Sequence, residues 1–319
     1  MGWKKNKSNE YIGMQKYNND GDLMKIISYN NYKDIIIEFQ DEYKSRKKTK
    51  MQCFNEGTIK NPISKRLGEI KYNNQNSLMK IIKYNNCNDI VVEFQDQYKA
   101  NVHTTYQCFN NGEVKNPYYP NIFGVGAIGE KYPTKRNKKD IKEYYAWYAM
   151  LRRCYDKKIK EKYSTYKDVK CCEEWLLYEN FYEWLHSQEN FDKWVTQPRS
   201  AVDKDILVKG NKIYSPDTCC LVPQEVNNLF CKSNATRGDF PIGVRFDKRS
   251  SIYIAECCGN IKTSKRYLCV DKDPYKTFNE YKQYKEKLIK QVAKEEFDKG
   301  NITKRCYDAM MNYQVEITD

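Results

Sequence analysis

The residues best suited to chemistry lie in one stretch of the sequence, AVDKDILVKGNKIYSPDTCCLVPQEVNNLF, at positions 201–230. AVDKDILV alternates like a β-strand, which would project Asp203 and Asp205 from the same face. KGNK indicates a turn, IYSP a second short strand, and PQEVNNLF the start of a helix that contains Asn227. Such side chains can hold one Mg²⁺ or Mn²⁺ ion, which would stabilise the charge on the leaving oxygen when a phosphodiester is cut.

A general base is the part of this arrangement that the sequence does not supply. Nuclease chemistry of this kind uses a base, normally histidine, to activate the attacking water. Lys204 stands beside Asp203, and a lysine accepts a proton at neutral pH only if burial lowers its pKa from about 10.4. His186 is the one histidine within sequence reach, and an isolated histidine is usually structural or exposed. Two alternatives keep catalysis open: Asp205 adds a second metal ligand, or Lys204 stabilises the transition state as a cation. In the third alternative both aspartates are structural.

The stretch resembles the HNH endonuclease motif, the ββα-metal nuclease of phage- and intron-encoded homing enzymes. VDKDI matches the first strand of that motif, SPDTCCLVP the second and EVNNL the helix. The resemblance implies that Asp203 and Asn227 are metal ligands. It places Lys204 at the general-base histidine and Thr218 at the asparagine that orients it, so the two positions that make the base depart from the family. The preceding segments YYAWYAMLRRCYDKK and YSTYKDVKCCEEWLLYENFYEWL resemble the helical frame around the motif.

A second resemblance lies further along the chain, between positions 240 and 293. IGVRFD, SIYIAECC and KRYLCV alternate like three strands, and a helix follows from Pro274. GVR, YIAE and KRYL, with that helix, resemble the AP2/ERF DNA-binding domain, whose sheet lies in the major groove. Cys269 stands at a family glycine and Cys258 where the family often has arginine, so base specificity is expected to differ. The basic candidates for a DNA-binding sheet face are Arg245, Lys248, Arg249, Lys262, Lys265 and Arg266.

The first third of the chain is a tandem repeat with a period of 55 residues. Of the 50 positions from 13 to 62, 30 are identical in the second copy. Each copy is predicted to be a small β module in which LMKII and DIIIEF are strands, and the TIK or EVK run a last strand. The copies differ most at SRKKTKM and ANVHTTY, where a loop could face a ligand. Two tethered modules bind one long ligand better than either alone, whereas a purely structural pair remains the alternative.

A helical region joins the repeats to the hairpin. The residues from Arg136 to about Asp156 have helical spacing, and the predicted apolar side carries Ile141, Tyr144, Tyr148, Leu151 and Tyr155. The aromatic residues between positions 171 and 194 are predicted to form core rather than stacking platforms. Arg152 and Arg153 are candidate phosphate contacts, although a solvated helix face explains them equally well.

Charge and cysteine usage limit the partners and the compartment. Lysine and arginine number 56 against 42 acidic residues, and the formal net charge of +14 favours a polyanionic partner. The 13 cysteines form no zinc-finger spacing, so they are expected to be reduced core thiols rather than structural zinc ligands. No apolar run reaches the ~18 residues that a membrane span needs, and the start MGWKKNKSNEYIG lacks the apolar core of a signal peptide, so none is expected. The expected location is therefore cytoplasmic, in a host cell if the protein is phage-borne.

These patterns predict an α+β chain whose favoured function is double-stranded DNA binding of the HNH homing-endonuclease type, with metal-dependent nicking of one strand. The first alternative is an HNH-derived DNA-binding, regulatory or anti-defence protein with an inactive centre, which Lys204 favours. The second is a protein-interaction module with incidental charge. No oligomeric partner is indicated. The predicted parts are a basic tail (1–12), two β repeats (13–67 and 68–122), the helical region with its hairpin (123–235) and the AP2-like domain with a final helix and strand (236–319).

Overall fold

The computed structural model describes residues 8–231, 240–257, 266–317 and 319. Helices and several small sheets confirm the predicted α+β class. The chain divides into two compact units, Met1–Tyr119 and Pro120–Asp319. Over the described ranges, no helix has both the length and the apolar character needed to cross a membrane.

The first repeat is an antiparallel sheet with helix packed on one face. Strand alternation buries Met24, Ile26, Ile35 and Ile37 on that face, where they meet Phe54 of a short helix. The opposite face carries the polar residues of the same strands. The elements are α1 (Ser8–Tyr11), β1 (Gln15–Tyr17), β2 (Leu23–Asn31), β3 (Asp34–Phe39), β4 (Arg46–Thr49) and α2 (Met51–Glu56), with strand order β1-β2-β3-β4.

The second repeat has the same order and register of strands, with its own core around Met79, Ile81 and Phe109. Its first helix, Pro62–Arg66, contacts the second copy and places Ile63 in that core. The structural copy thus begins slightly before the sequence boundary at 67/68. Its elements are α3 (Pro62–Arg66), β5 (Ile70–Tyr72), β6 (Leu78–Asn86), β7 (Asp89–Phe94), β8 (Asn101–Thr104) and α4 (Tyr106–Asn111).

Two details of the repeats differ from the sequence expectation. The variable segments, predicted to be loops, are the edge strands β4 and β8. The last strand expected at TIK and EVK is absent from both described copies. A helix instead forms over the QCF motif of each copy and ends at a left-handed glycine, Gly57 or Gly112. The chain beyond it is held by side chains instead: the Asn18 amide donates to the Ile59 carbonyl at 2.9 Å.

The helical region packs around buried tryptophans. Of the predicted apolar side of its long helix, Leu151 is fully buried, but Tyr148 is 36% exposed. The other buried residues of the helix are Glu143, Trp147, Met150 and Cys154. The aromatic residues that follow do form core, as predicted; Trp175, Tyr178 and Phe181 are fully buried. The elements are β9 (Lys135–Arg136), β10 (Lys139–Asp140), α5 (Lys142–Tyr155), α6 (Lys157–Lys162), β11 (Lys170–Cys171), α7 (Tyr178–Ser187) and α8 (Phe191–Thr196), with short 3₁₀ turns at Ser164–Tyr166 and Glu174–Leu176.

The last part of the chain is a three-stranded sheet covered by one long helix. Its elements are β15 (Val244–Asp247), β16 (Ile252–Cys257), β17 (Arg266–Asp271), α10 (Pro274–Asp298) and α11 (Lys304–Met311). The closing strand expected at YQVEI is not formed. Val315 is instead buried in the core below α10, and its amide donates to Glu286 Oε1 at 2.9 Å, so a side chain replaces the ladder partner.

Gly243 is required where the sheet meets α10. Its φ is +75°, and a Cβ there would lie 2.1 Å from Cδ2 of the buried Tyr281 ring. Gly300 has a similar φ of +70° but open space around it. We expect Gly300→Ala to lower the free energy of unfolding by about 1 kcal/mol, the cost of the left-handed backbone. Gly243→Ala adds a steric clash and should cost about 3 kcal/mol or more in urea unfolding. Equal losses in the two variants would contradict this packing.

The cysteine thiols should differ sharply in reactivity. Burial raises the pKa of Cys154 and of Cys219 to about 12, whereas Cys87 is exposed. Because the thiolate is the reacting form, Cys87 should react with a disulfide reagent at pH 8 while Cys154 and Cys219 stay protected until the chain unfolds. The raised pKa values also mean that these two thiols leave the free energy of unfolding unchanged up to about pH 8 and lower it above about pH 9, where the unfolded thiols ionise and the folded ones do not. Mass mapping of the labelled sites checks the reactivity, and urea unfolding at several pH values checks the stability.

Candidate functional site

The hairpin and helix at positions 200–229 form between two cores. Strand β12 (Ser200–Asp203) pairs antiparallel with β14 (Cys220–Pro223), and α9 (Gln224–Leu229) follows directly. Residues around β14 alternate between the two sides: Cys219 and Leu221 join the core of the helical region, while Cys220 and Val222 join the core below α10. The adjacent cysteines therefore face opposite sides, as neighbouring residues of a strand do. The hairpin is held by packing on both faces.

Both strand predictions in this stretch need correction. Strand β12 ends at Asp203, so Asp205 lies in the following loop and does not share a strand face with Asp203. The Ile213–Tyr214 strand, β13, is not the partner of β12; it pairs in parallel with β11. The reason is local, because Asp203 Oδ1 accepts the backbone N–H groups of Asp205 and Ile206, both at 2.8 Å, and this turns the chain.

Asp203 is therefore part of the backbone structure of the loop. Asp203 is only 8% exposed, and this burial raises the pKa of its carboxyl group. The two amide hydrogen bonds favour the charged form and offset part of the increase. Both hydrogen bonds of the turn are therefore accepted by one oxygen, Oδ1.

Lys204 is 7% exposed, and its ammonium group has a full set of acceptors. Nζ lies 2.7 and 2.8 Å from the two carboxylate oxygens of Asp205 and 2.7 Å from the carbonyl oxygen of Asn211. The ring of Tyr214 lies on another side, with its centroid 5.9 Å from Nζ. An ammonium group has three protons and no acceptor, so these three contacts use its hydrogen-bonding capacity.

Asn211 completes this arrangement from the far side of the loop. Its Nδ2 donates to the carbonyls of Lys204 and Ile213 at 3.0 and 2.6 Å, and its Oδ1 accepts the Ile213 amide at 3.0 Å. We call Lys204, Asp205 and Asn211 the Lys204 lock. Thr218 lies in the next turn, where its hydroxyl donates to the Ile213 carbonyl at 2.7 Å. Its bonds stabilise the turn at positions 213–218, and in the described part of the chain none joins it to Lys204.

Two of the predicted metal ligands, Asp205 and Asp203, already have hydrogen-bond partners within the loop. Both oxygens of Asp205 face Lys204, and Oδ1 of Asp203 is bonded to two amides. Asn227 lies half-buried on α9, where its backbone carbonyl accepts the Phe230 amide. Within the described ranges, no group of three or more His, Cys, Asp or Glu side chains is arranged for a metal ion.

The other candidates of the helical region are engaged elsewhere. His186 stacks between Tyr182 and Phe191, with ring centroids 4.1 and 3.9 Å away, and its Nε2 is 3.6 Å from Glu143. Arg153 is half-buried and reaches the Tyr214 hydroxyl at 3.4 Å, which makes it a support of the hairpin. Arg152 is exposed, with a loose 3.5 Å ion pair to Asp156, and stays accessible to a phosphate.

Among the described residues, the face of the three-stranded sheet that lies opposite α10 holds a second group of interacting side chains. Arg245 donates from Nε to Glu256 at 2.7 Å and from Nη2 to the Tyr267 hydroxyl, and its guanidinium lies over the Tyr267 ring. The Glu256 side chain is 7% exposed, so a buried carboxylate holds the arginine in one orientation. Tyr267 is 60% exposed and Val270 56%, which gives this face an aromatic and an apolar contact beside the cation.

The remaining basic candidates of the sheet are divided. Lys248 and Arg249 are exposed in the turn between β15 and β16, at one end of the sheet. Arg266 pairs with Cys257, which packs in the core below α10, so Arg266 lies on the helix side, over the ring of Tyr284. It does not belong to the free face. Lys262, Lys265 and Cys258 lie outside the described residues.

Three residues that matter here were not among the sequence candidates: Asn211, Glu256 and Tyr267. Asn211 had a detectable signal, since KGNK is a turn and asparagine bonds its own backbone there. Glu256 and Tyr267 become neighbours of Arg245 only through strand pairing across the sheet.

Comparisons with protein-family models, with curated proteins and with solved structures find no match to this chain.

Proposed function

We propose that this protein binds double-stranded DNA through the free face of its three-stranded sheet and that its HNH-like hairpin supports this fold without cutting DNA. Binding is supported most directly by Arg245, which a buried carboxylate holds on an exposed face beside Tyr267. A fixed guanidinium is the group that reads guanine edges best, because it loses little freedom on binding. The net charge of +14 adds the long-range attraction that phosphates need.

The non-catalytic role of the hairpin rests on the Lys204 lock. In the HNH motif that the sequence resembles, position 204 carries the base and position 203 a metal ligand. Here the Lys204 ammonium is bonded to Asp205 and to the Asn211 carbonyl, and Asp203 is bonded to two amides. A lysine nitrogen that donates to three acceptors has no lone pair directed at water, and a paired Asp205 is a poor metal ligand. These contacts stabilise the loop between the two cores, so we assign the Lys204 lock a structural role.

A salt titration tests the binding proposal. The affinity of the full chain for a labelled duplex is measured by fluorescence anisotropy over a range of KCl concentrations. Each phosphate contact contributes a slope of about −0.9 to the plot of log affinity against log salt concentration, and we expect a total of about −3 or steeper. An affinity that does not change with salt would instead support the protein-interaction alternative.

A further inference from the structure

The two repeats have the same fold but different charge on one edge. Strand β4 ends the first sheet, and the turn at Lys33 adjoins it because the Met51 amide donates to the Tyr32 carbonyl at 2.9 Å. We call the five exposed cations of this edge the β4 patch. They are Lys33, Arg46, Lys47, Lys48 and Lys50. The 55-residue period places uncharged residues at all five positions of the second copy: Asn88, Asn101, Val102, His103 and Thr105.

The fold of the repeat does not need these cations. The second copy forms the same four-residue edge strand with the same partners, Glu93 opposite Asn101 and Val91 opposite His103. Lysines on an edge strand can serve to prevent pairing with other chains, but the equivalent edge β8 manages without them. The β4 patch is thus a property of one copy and has no structural requirement behind it.

Two acids of the neighbouring strand leave most of this charge available. Arg46 is paired with Glu38 at 2.9 Å and Lys48 with Asp34 at 3.0 Å, but the two cationic side chains are 67% and 71% exposed. Exposed pairs of this kind contribute about 0–1 kcal/mol, so a phosphate can recruit the same cations. The second copy retains both acids, as Glu93 and Asp89, without the cations. Its edge is therefore anionic where the first is strongly cationic.

We propose that the β4 patch is a second DNA contact, which binds the phosphate backbone of a duplex, and that the second repeat does not share this role. The inference rests on the proposed DNA binding and adds the surface that supplies part of its affinity. Tyr32 lies at the end of the patch and is 58% exposed, with its hydroxyl 3.0 Å from that of Tyr11, so its exposed ring can contact a sugar. In this proposal only the first copy contacts DNA, whereas the sequence repeat predicted joint binding by two equivalent modules.

The internal repeat offers a matched test in the full chain. The first variant gives copy one the residues of copy two: Lys33→Asn, Arg46→Asn, Lys47→Val, Lys48→His and Lys50→Thr. The reciprocal variant gives copy two the cations: Asn88→Lys, Asn101→Arg, Val102→Lys, His103→Lys and Thr105→Lys. Because each set of residues already occurs on this backbone, both variants should fold, and thermal unfolding verifies it.

The salt slope for duplex binding is the readout. Loss of about two phosphate contacts should make the slope of the first variant shallower by about 2 and weaken binding by about tenfold or more at ~0.1 M salt. The reciprocal variant should keep at least the wild-type slope. Wild-type binding with an unchanged slope in the first variant would overturn the patch but leave the proposed function standing. No wild-type binding at all would overturn both. Displacement of DNA by polyglutamate from the wild type but not from the first variant would identify an acidic protein as the partner and also overturn the inference.

Discussion

Replacing Lys204 with methionine should lower the free energy of unfolding by about 2–3 kcal/mol, one of the largest effects expected in this protein. Removing one member of a buried ion pair typically costs ~3–5 kcal/mol because the other charge is left without a partner. The Asp205 side chain is 46% exposed, so water partly replaces the ammonium and the expected loss is smaller. The Asn211 carbonyl also loses its donor.

Lys212 provides the matched control for this prediction. It lies in the same loop, and its side chain is exposed. Lys212→Met removes the same charge with the same change of shape, and should alter the free energy of unfolding by less than about 0.5 kcal/mol. Urea unfolding of the two variants gives the comparison. If Lys204→Met were as stable as Lys212→Met, the Lys204 lock would have no structural role. A functional role for Lys204, such as stabilising a transition state, would then be favoured.

Among single substitutions, Arg245→Ala has the largest expected effect on binding. Arg245→Ala should weaken duplex binding about tenfold or more, since a fixed arginine contact to a base edge is worth ~1–3 kcal/mol. Arg266→Ala is the control within the same sheet, because Arg266 lies on the helix side and cannot reach a duplex on the free face. Its affinity should stay within about threefold of wild type. Equal losses in both variants would mean that only net charge matters.

A conservative variant separates binding from folding in this experiment. Arg245→Ala leaves the buried Glu256 carboxylate without its cation and so lowers stability as well. Arg245→Lys keeps the charge beside Glu256 but loses the planar guanidinium. We expect it to keep the salt slope while it loses preference among duplex sequences. A retained sequence preference would show that Arg245 does not read bases.

The sequence was sufficient for the features that depend on pattern. The 55-residue repeat and its alternating β-branched runs predicted two like β modules, and the aromatic run of the helical region predicted a core. The order strand, turn and helix in the hairpin was also predictable. The end of β12 was not, because the carboxylate of Asp203 bonds the following amides in competition with strand pairing, and residue alternation does not reveal which of the two wins.

The face of Arg266 shows a second limit of pattern reading. Simple alternation along β17 puts Arg266 on the same face as Val270, the exposed side of the sheet. A β-bulge opposite Ala255 and Glu256 inserts one residue, so Tyr267 moves to the exposed face and Arg266 to the helix side. A one-residue register shift is set by tertiary packing against α10. The pairing of Arg245 with Glu256 and Tyr267 has the same origin.

The decisive measurement is a cleavage assay in which supercoiled plasmid is incubated with the full chain and Mg²⁺ or Mn²⁺ at a protein concentration that saturates binding. We expect a retarded complex whose DNA, once the protein is removed, is still supercoiled. Open-circular product that requires the divalent ion and disappears in Asp203→Ala would contradict it, because the centre would then cut DNA despite the Lys204 lock. The Lys204→His variant is included in the same experiment. Nicking gained in that variant alone would show that the hairpin keeps the geometry of a nuclease and that the Lys204 lock is the reason why the wild type does not cut DNA.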